Sequence, residues 1–404
     1  MVRLGAILGQ LVYVKIYSHH LSNYELGIYF YLMTISYFLN ALVFVPVDYY
    51  QQSRLYPFRD ADISLAAFLR FNKWLLLLIG AITALVTLPC LFLGRIIAIE
   101  AVACVSMSVA LYVTTAFKNL LNNLDHKLMV AAIFLVEVVL KTGLFYAATR
   151  VLTPHAITLI GSNILSLLLV LPLLAVTAQR RGIFRSGSAH TISYCEVAIF
   201  SYPLSIAAIA NWLQLQGYRL VLVPFGYTEI VGIYGTVANV GVTIMNAVSI
   251  IYGQLYSPKL YQTHGSSLKT YLGGALLLIL VVLAGGGALS ERIIPLLTRQ
   301  DLGRYSHLLL YGVGTEAGNF LAGGLAIYLT VKNKTRAIMN GSFLGVAAVA
   351  ISATILCMTG RARIYTIGLP LILSQVVVVT YMASAWQIGR GLAATKAPLS
   401  DRDI

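Results

Sequence analysis

The sequence predicts an all-α, polytopic membrane protein of about twelve transmembrane helices, in two six-helix bundles related by pseudo-two-fold symmetry. Three observations predict it. The composition is too apolar for a water-soluble surface, the apolar runs have membrane-spanning length, and a short motif recurs half a chain apart. Of 404 residues, 59% are hydrophobic and 10% charged, and the mean hydropathy is +0.83. Soluble domains carry about a quarter charged residues. Runs such as 74–93, 156–178 and 365–386 can cross a hydrocarbon layer of ~30 Å at a rise of ~1.5 Å per residue. With no water to pair their backbone groups, such runs must be helices.

The expected spans are about 3–20, 26–48, 74–93, 97–117, 128–149, 156–178, 195–217, 230–254, 271–290, 306–330, 337–358 and 365–387. The first is expected to stay in the mature chain. Tyr17, His19 and His20 stand where a signal peptide needs small residues for cleavage. The longest connection, 51–73, contains Pro57 and an amphipathic piece, 63–71, expected to lie along the membrane surface. No connection is long enough for a separate domain, so the chain divides into an N-terminal bundle, 1–190, and a C-terminal bundle, 191–404.

The net charge of +14 does not point to nucleic acid, because the 28 basic residues are scattered between apolar runs and form no single face. With the N-terminus placed inside, eighteen of them fall in the inner loops and tail and nine in the outer loops. This bias puts both termini in the cytoplasm of a cell inner membrane. The ninth loop resists it, with Arg292, Arg299 and Arg304 outside. Cys90, Cys104, Cys195 and Cys357 lie in or beside apolar segments with no metal-ligand spacing and read as small hydrophobes.

The repeat is carried by Gly27-Ile28-Tyr29 and Gly232-Ile233-Tyr234, 205 residues apart, each opening a span after a polar turn. Tyr13 and Tyr218 share the same shift. Six spans per half is an even number, so the halves share an orientation and are related by an axis along the membrane normal. Substrate sites in such proteins lie between the repeats.

The two turns, Asn23-Tyr24-Glu25-Leu26-Gly27-Ile28-Tyr29 and Thr228-Glu229-Ile230-Val231-Gly232-Ile233-Tyr234, resemble a signature of the multidrug/oligosaccharidyl-lipid/polysaccharide exporter superfamily. The resemblance is to its O-antigen and exopolysaccharide flippases, polysaccharide biosynthesis proteins in particular. Residues 238–258 resemble that family's eighth span and its exit. The resemblance implies a central cavity, alternating access and a polyprenyl-diphosphate-linked oligosaccharide as cargo, flipped for lipopolysaccharide or other surface polysaccharide. Its partners would then be that lipid-linked oligosaccharide, membrane lipids, and the polysaccharide polymerase and glycosyltransferases of the same pathway.

Candidate site residues follow from the cost of charge in hydrocarbon, ~2.5–3.5 kcal/mol on insertion scales, which drives such groups to partners or watery cavities. Glu137 and Lys141 share a face of the fifth span four residues apart. They read either as a self-neutralising pair or as a cavity wall where Lys141 can turn to a diphosphate. Lys15 and Arg219 sit near matching depths in the two halves and either join that cavity or snorkel. Arg3 reads as an interfacial anchor. Glu316 lies mid-span among Gly312, Gly314 and Gly318, on a helix with no basic residue. The glycines permit a kink, close packing or a broken helix, and the acid is placed to couple transport to ions or to make a structural hydrogen bond.

No Ser/His/Asp set, carboxylate pair, metal cluster or phosphate loop stands out in the sequence. We therefore expect no enzyme activity, cofactor or nucleotide drive. One charge crossing 100 mV supplies ~2.3 kcal/mol, enough to bias a rocker between similar states. The rival readings are a drug/cation exporter of the same superfamily and, from another class, a membrane glycan polymerase or ligase. The latter calls for a large outward loop that this sequence lacks.

Overall fold

The computed structural model describes residues 2–61, 63–92, 97–184, 188, 191–263, 265–332, 334–361 and 363–395. The expectations for Arg3 and Cys90 fall on side chains outside those described, as do the loop and tail charges Arg95, Arg185, Lys396 and Arg402.

The chain is all-α. Its helices are α1 (Val2–His20), α2 (Asn23–Leu39), α3 (Val45–Asp60), α4 (Ala66–Phe92), α5 (Ile97–Asn123), α6 (Lys127–Val151) and α7 (Ala156–Arg180). They continue as α8 (Tyr194–Gln216), α9 (Tyr218–Leu222), α10 (Thr228–Gln262), α11 (Leu268–Leu297), α12 (Leu308–Val331), α13 (Thr335–Met358) and α14 (Leu369–Thr395). Among the described residues, nine helices are long and apolar enough to cross a membrane, or ten if Tyr194–Phe200 and Ser205–Gln216, bent by 61°, form one span. α1 and α12 lie at two further positions where the sequence predicts spans. Large apolar side chains along these helices are exposed, such as Leu77, Leu277 and Ile351. Lipid, not water, is the solvent that tolerates them.

Two local features shape the first spans. Ser22 caps α2 by accepting the Glu25 N–H, as a Ser-x-x-Glu start permits. α2 passes into α3 through a π-helical turn, Asn40–Phe44. There the Asn40 amide donates to the Ser108 carbonyl at 3.2 Å, the kind of insertion that re-aims a helix without ending it. The connection at 51–73 differs from its expectation. α3 runs to Asp60 and α4 begins at Ala66, so 66–71 forms the first turns of a span and not a surface piece. Phe58 stacks on Phe68 at 5.2 Å across the bend and buries what an interfacial helix would have given to lipid.

The chain forms two compact units. The first comprises Met1–Trp212, Arg219–Thr236 and Leu296–Arg299, and the second Leu213–Tyr218, Val237–Pro295 and Gln300–Ile404. In the first, α1 packs on α6, α5 and α6 on α7, and α2 on α5. In the second, α13 and α12 pack on α14.

The recurring glycines explain one close crossing. A Cβ on Gly27 would lie 2.0 Å from the Thr228 carbonyl oxygen, and one on Gly232 would lie 2.0 Å from that of Asn23. The two copies of the motif therefore meet backbone to backbone inside the first unit. Small residues make such contacts possible between apolar helices that gain nothing from excluding water. In the second unit, Gly241 and Gly312 do the same for α10 and α12, at 2.1 Å from Leu309 O and 1.9 Å from Ala238 O.

Candidate functional site

The first unit brings charge and aromatic rings together along α1, α2, α6 and α7. Lys141 on α6 lays its ammonium over the Tyr13 ring of α1, 4.7 Å from the centroid. Tyr13 donates its hydroxyl to Asn163 Oδ1 on α7 at 2.6 Å. The Asn163 amide donates to the Tyr29 hydroxyl on α2 at 3.3 Å. Tyr29 lies beside Phe30, ring centroids 5.3 Å apart, and the Arg219 guanidinium sits over Phe30 at 5.0 Å. Arg219 also donates to Thr34 Oγ1 at 3.3 Å. A continuous train of side chains thus joins Lys141 to Arg219. Tyr13 and Tyr17, four apart on one face of α1, extend its aromatic wall with centroids 5.2 Å apart. A cation–π contact is worth ~0.5–2 kcal/mol and leaves the donors of the ammonium open to other groups.

Glu137 does not pair with Lys141. Its carboxylate takes the Lys118 ammonium of α5 instead, in a mostly buried ion pair. The i, i+4 pair, one of the two readings these residues allowed, is not formed: the carboxylate on α6 meets a cation from a neighbouring helix first. α5 runs to Asn123, so Lys118 lies within the helix and not in the inner loop to which the charge count assigned it. Among the described residues, Lys141 has no ion pair or hydrogen bond and keeps only its aromatic seat.

Lys15 has a different neighbourhood. Its ammonium donates to the Thr298 carbonyl. Next to it, Arg299 donates to the Leu21 carbonyl at 3.3 Å and to Asn23 Oδ1 at 2.8 Å. These contacts hold Leu296–Arg299 against the turn between α1 and α2, which gives one of the ninth loop's anomalous arginines a structural partner. Glu25 of the motif accepts the Ala156 N–H at 2.7 Å and faces His155 at 3.3 Å, capping α7. Its counterpart Glu229 is exposed.

In the second unit, Glu316 accepts from the Asn319 amide at 3.2 Å, and Asn319 Oδ1 accepts from Gln375 on α14 at 3.2 Å. α12 runs unbroken past it. The surrounding glycines serve close packing, with a Cβ on Gly318 falling 2.4 Å from that of Gln375. Among the described residues, no basic side chain reaches ion-pairing distance of Glu316, and no group of acids, histidines and cysteines could hold a metal ion. Trp212 packs on Phe38 at 4.9 Å, Cys104 is buried, and Cys195 is exposed, against expectation.

Sequence reasoning missed Lys118, Asn163 and Phe30. No spacing rule marks partners brought from separate helices. The density of tyrosine was visible in the sequence, but which tyrosines faced inward was not.

No family model matches the sequence, and no curated protein matches it. Solved structures do. A lipid II flippase, MurJ, in an inward closed conformation matches with a TM-score of 0.69 at 12% identity, over 96% of this chain and 86% of that one. A multidrug resistance MATE family transporter of the MOP superfamily, inward-facing, matches with a TM-score of 0.63 at 14% identity, over 98% and 99%. A eukaryotic MATE transporter gives 0.57 at 10% identity, over 96% and 93%. At these identities the likeness is one of fold, and it makes the chain a multi-pass membrane protein with the architecture of these transporters.

Proposed function

We propose that this protein flips a polyprenyl-diphosphate-linked oligosaccharide across the cytoplasmic membrane for surface polysaccharide assembly, by alternating access between the halves 1–190 and 191–404. The observation that carries the reading is the charge balance along the aromatic train. Among the described residues, Glu137 is ion-paired to Lys118, which leaves the Lys141 ammonium on the Tyr13 ring with no carboxylate at ion-pairing distance, while the Arg219 guanidinium lies over Phe30. Cations in a poorly hydrated setting suit a diphosphate, whose charge they offset as it leaves water. Tyr13, Tyr17 and Tyr29 are buried along this train, and in this reading alternating access opens their ring faces to the sugars. Lys15 serves this cycle as a second cation or as the tether of Leu296–Arg299. The likeness to a lipid II flippase supports a lipid-linked cargo. Glu316 is the coupling residue in this reading.

A second reading, a drug or cation exporter, draws on the likeness to multidrug resistance transporters and on Glu316, an acid with no cation beside it. Reconstitution separates the two. The purified protein is placed in vesicles with a fluorescent polyprenyl-diphosphate glycan in one leaflet and, separately, with a fluorescent organic cation outside. Transfer of the glycan lipid between leaflets, lost in Lys141→Met, is expected. Cation accumulation without lipid transfer overturns the flippase reading in favour of the exporter, and extension of the glycan overturns both.

A further inference from the structure

Away from the aromatic train, the first unit carries a small cleft of about 40 Å³ where α3, α4 and α5 meet, lined by Asp48, Gln51, Asn72, Phe68 and Phe117 among others. Its polar groups are only half used. Asp48 Oδ2 accepts from Gln52 and from Asn119, both at 2.8 Å, while Oδ1 has no hydrogen bond among the described residues. Asn72 Oδ1 accepts from Gln51 and from Tyr112, both at 2.7 Å, while its Nδ2 donates to nothing among the described residues. The hydrogen bonds already made hold the two side chains in place, so one carboxylate oxygen and one amide nitrogen remain for a ligand.

Past Asn72 and Phe117 the cleft runs into a groove between α4 and α5, whose lining adds Lys73, Leu76, Leu77 and Val113. Along α4 the order is therefore Asn72, Lys73, then Leu76 and Leu77: amide, cation, hydrocarbon. Lys73 is exposed, and its neighbour Trp74 is 64% exposed. An exposed tryptophan at a span end marks the depth of lipid headgroups. Anion, then cation, then apolar groove is the complement of a molecule carrying ammonium, then phosphate, then acyl chain.

We propose that this cleft and groove form a binding site for an amine-headgroup phospholipid, phosphatidylethanolamine in chemical class. Asp48 takes the ammonium. Asn72 Nδ2 and Lys73 take the phosphate, and one acyl chain lies along Leu76, Leu77 and Val113. An ammonium bearing hydrogens fits Asp48 because it can donate to Oδ1. A trimethylated headgroup of equal charge has no hydrogen to donate there. The site does not depend on the transport reading, since none of its residues belongs to the Lys141 train.

The test is lipid retention by the full-length protein. The chain is purified from nanodiscs of phosphatidylethanolamine and phosphatidylglycerol, delipidated stepwise in detergent, and the residual lipid is identified by native mass spectrometry. A second set of discs replaces phosphatidylethanolamine with phosphatidylcholine. Retained phosphatidylethanolamine and no retained phosphatidylcholine are expected. In Asp48→Asn, retention falls roughly tenfold, about the worth of one charge-assisted hydrogen bond. Lys73→Gln, an exposed position that does not threaten the fold, also lowers retention of phosphatidylethanolamine. Equal retention of the two lipids, unchanged retention in both variants, or a polyprenyl lipid in place of phospholipid would each overturn the proposal.

Discussion

The first unit gathers Lys118, Lys141, Arg219 and Glu137 among aromatic rings, while the second holds Glu316 among amides with no cation in ion-pairing distance among the described residues. Both solve the same problem, a charge in a span. On α6 the carboxylate is neutralised across a helix interface by Lys118, and the surplus positive charge is parked on tyrosine. On α12 no basic side chain among the described residues neutralises the carboxylate. It is hydrogen-bonded to Asn319, which Gln375 steadies from α14. A cation on a ring keeps its donors open and awaits an anion. A carboxylate on an amide can gain or lose a proton with its partner still in place. The first arrangement suits cargo and the second suits coupling.

The largest effect is expected at the ion pair. Glu137→Gln leaves Lys118 and Lys141 buried together with no counter-charge, and breaking a buried pair from one side costs ~3–5 kcal/mol. Thermal unfolding in detergent should show a large drop in Tm and yield. Adding Lys118→Met should restore most of it, because the orphaned cation is then gone. A Glu137→Gln chain as stable as the parent would mean that the carboxylate balances nothing, and the contrast between the units would collapse.

Lys141→Met comes next. The side chain forms no ion pair among the described residues, so stability should move by no more than the ~2 kcal/mol of a desolvated cation–π contact. Affinity for a diphosphate lipid should fall roughly tenfold or more, since a charge-assisted contact is worth ~1.5–3 kcal/mol. Lys141→Arg should keep most of that affinity. Competition with inorganic pyrophosphate measures it directly, and equal affinities in all three chains would remove Lys141 from the site.

Much of this was legible in the residues. Span positions followed from run length, the strongest signal a membrane chain carries, because lipid forbids the alternatives to helix. The weight of Gly27 and Gly232 was legible as a repeat, although their role as the place where the two copies touch was not. Sequence distance hides which helices cross. The failures share that cause. Glu137 could be offered only Lys141 as a partner because i, i+4 neighbours are the pairs a sequence displays, and Lys118 lies 19 residues away on another helix. Arg299 was read as a topological anomaly, yet it bridges to Leu21 and Asn23. Residues 66–71 look amphipathic because one side meets Phe58, not because they lie on a membrane.

The smallest change in stability and the most specific change in behaviour are expected for Glu316→Gln. The substitution keeps the shape and one carbonyl oxygen, so the Asn319 amide retains its acceptor, and interhelical hydrogen bonds within membranes average only ~0.6 kcal/mol. Tm should shift little. What glutamine removes is the ability to carry a proton or balance an ion at this depth. No cationic side chain stands within ion-pairing distance of Glu316 among the described residues, and its polar neighbours on α12 and α14, Asn319 and Gln375, do not titrate. Any pH dependence of transport arising in this region therefore belongs to Glu316. Initial rates of lipid transfer in vesicles, taken across a pH series, should vary for the parent and run flat for the variant. Asn319→Leu, which leaves the acid but strips its hydrogen bond, should shift the profile without abolishing it. If Glu316→Gln reproduces the parent's rates and profile, Glu316 is a packing residue, and the energy for the cycle comes from the membrane potential or from consumption of cargo on the far side.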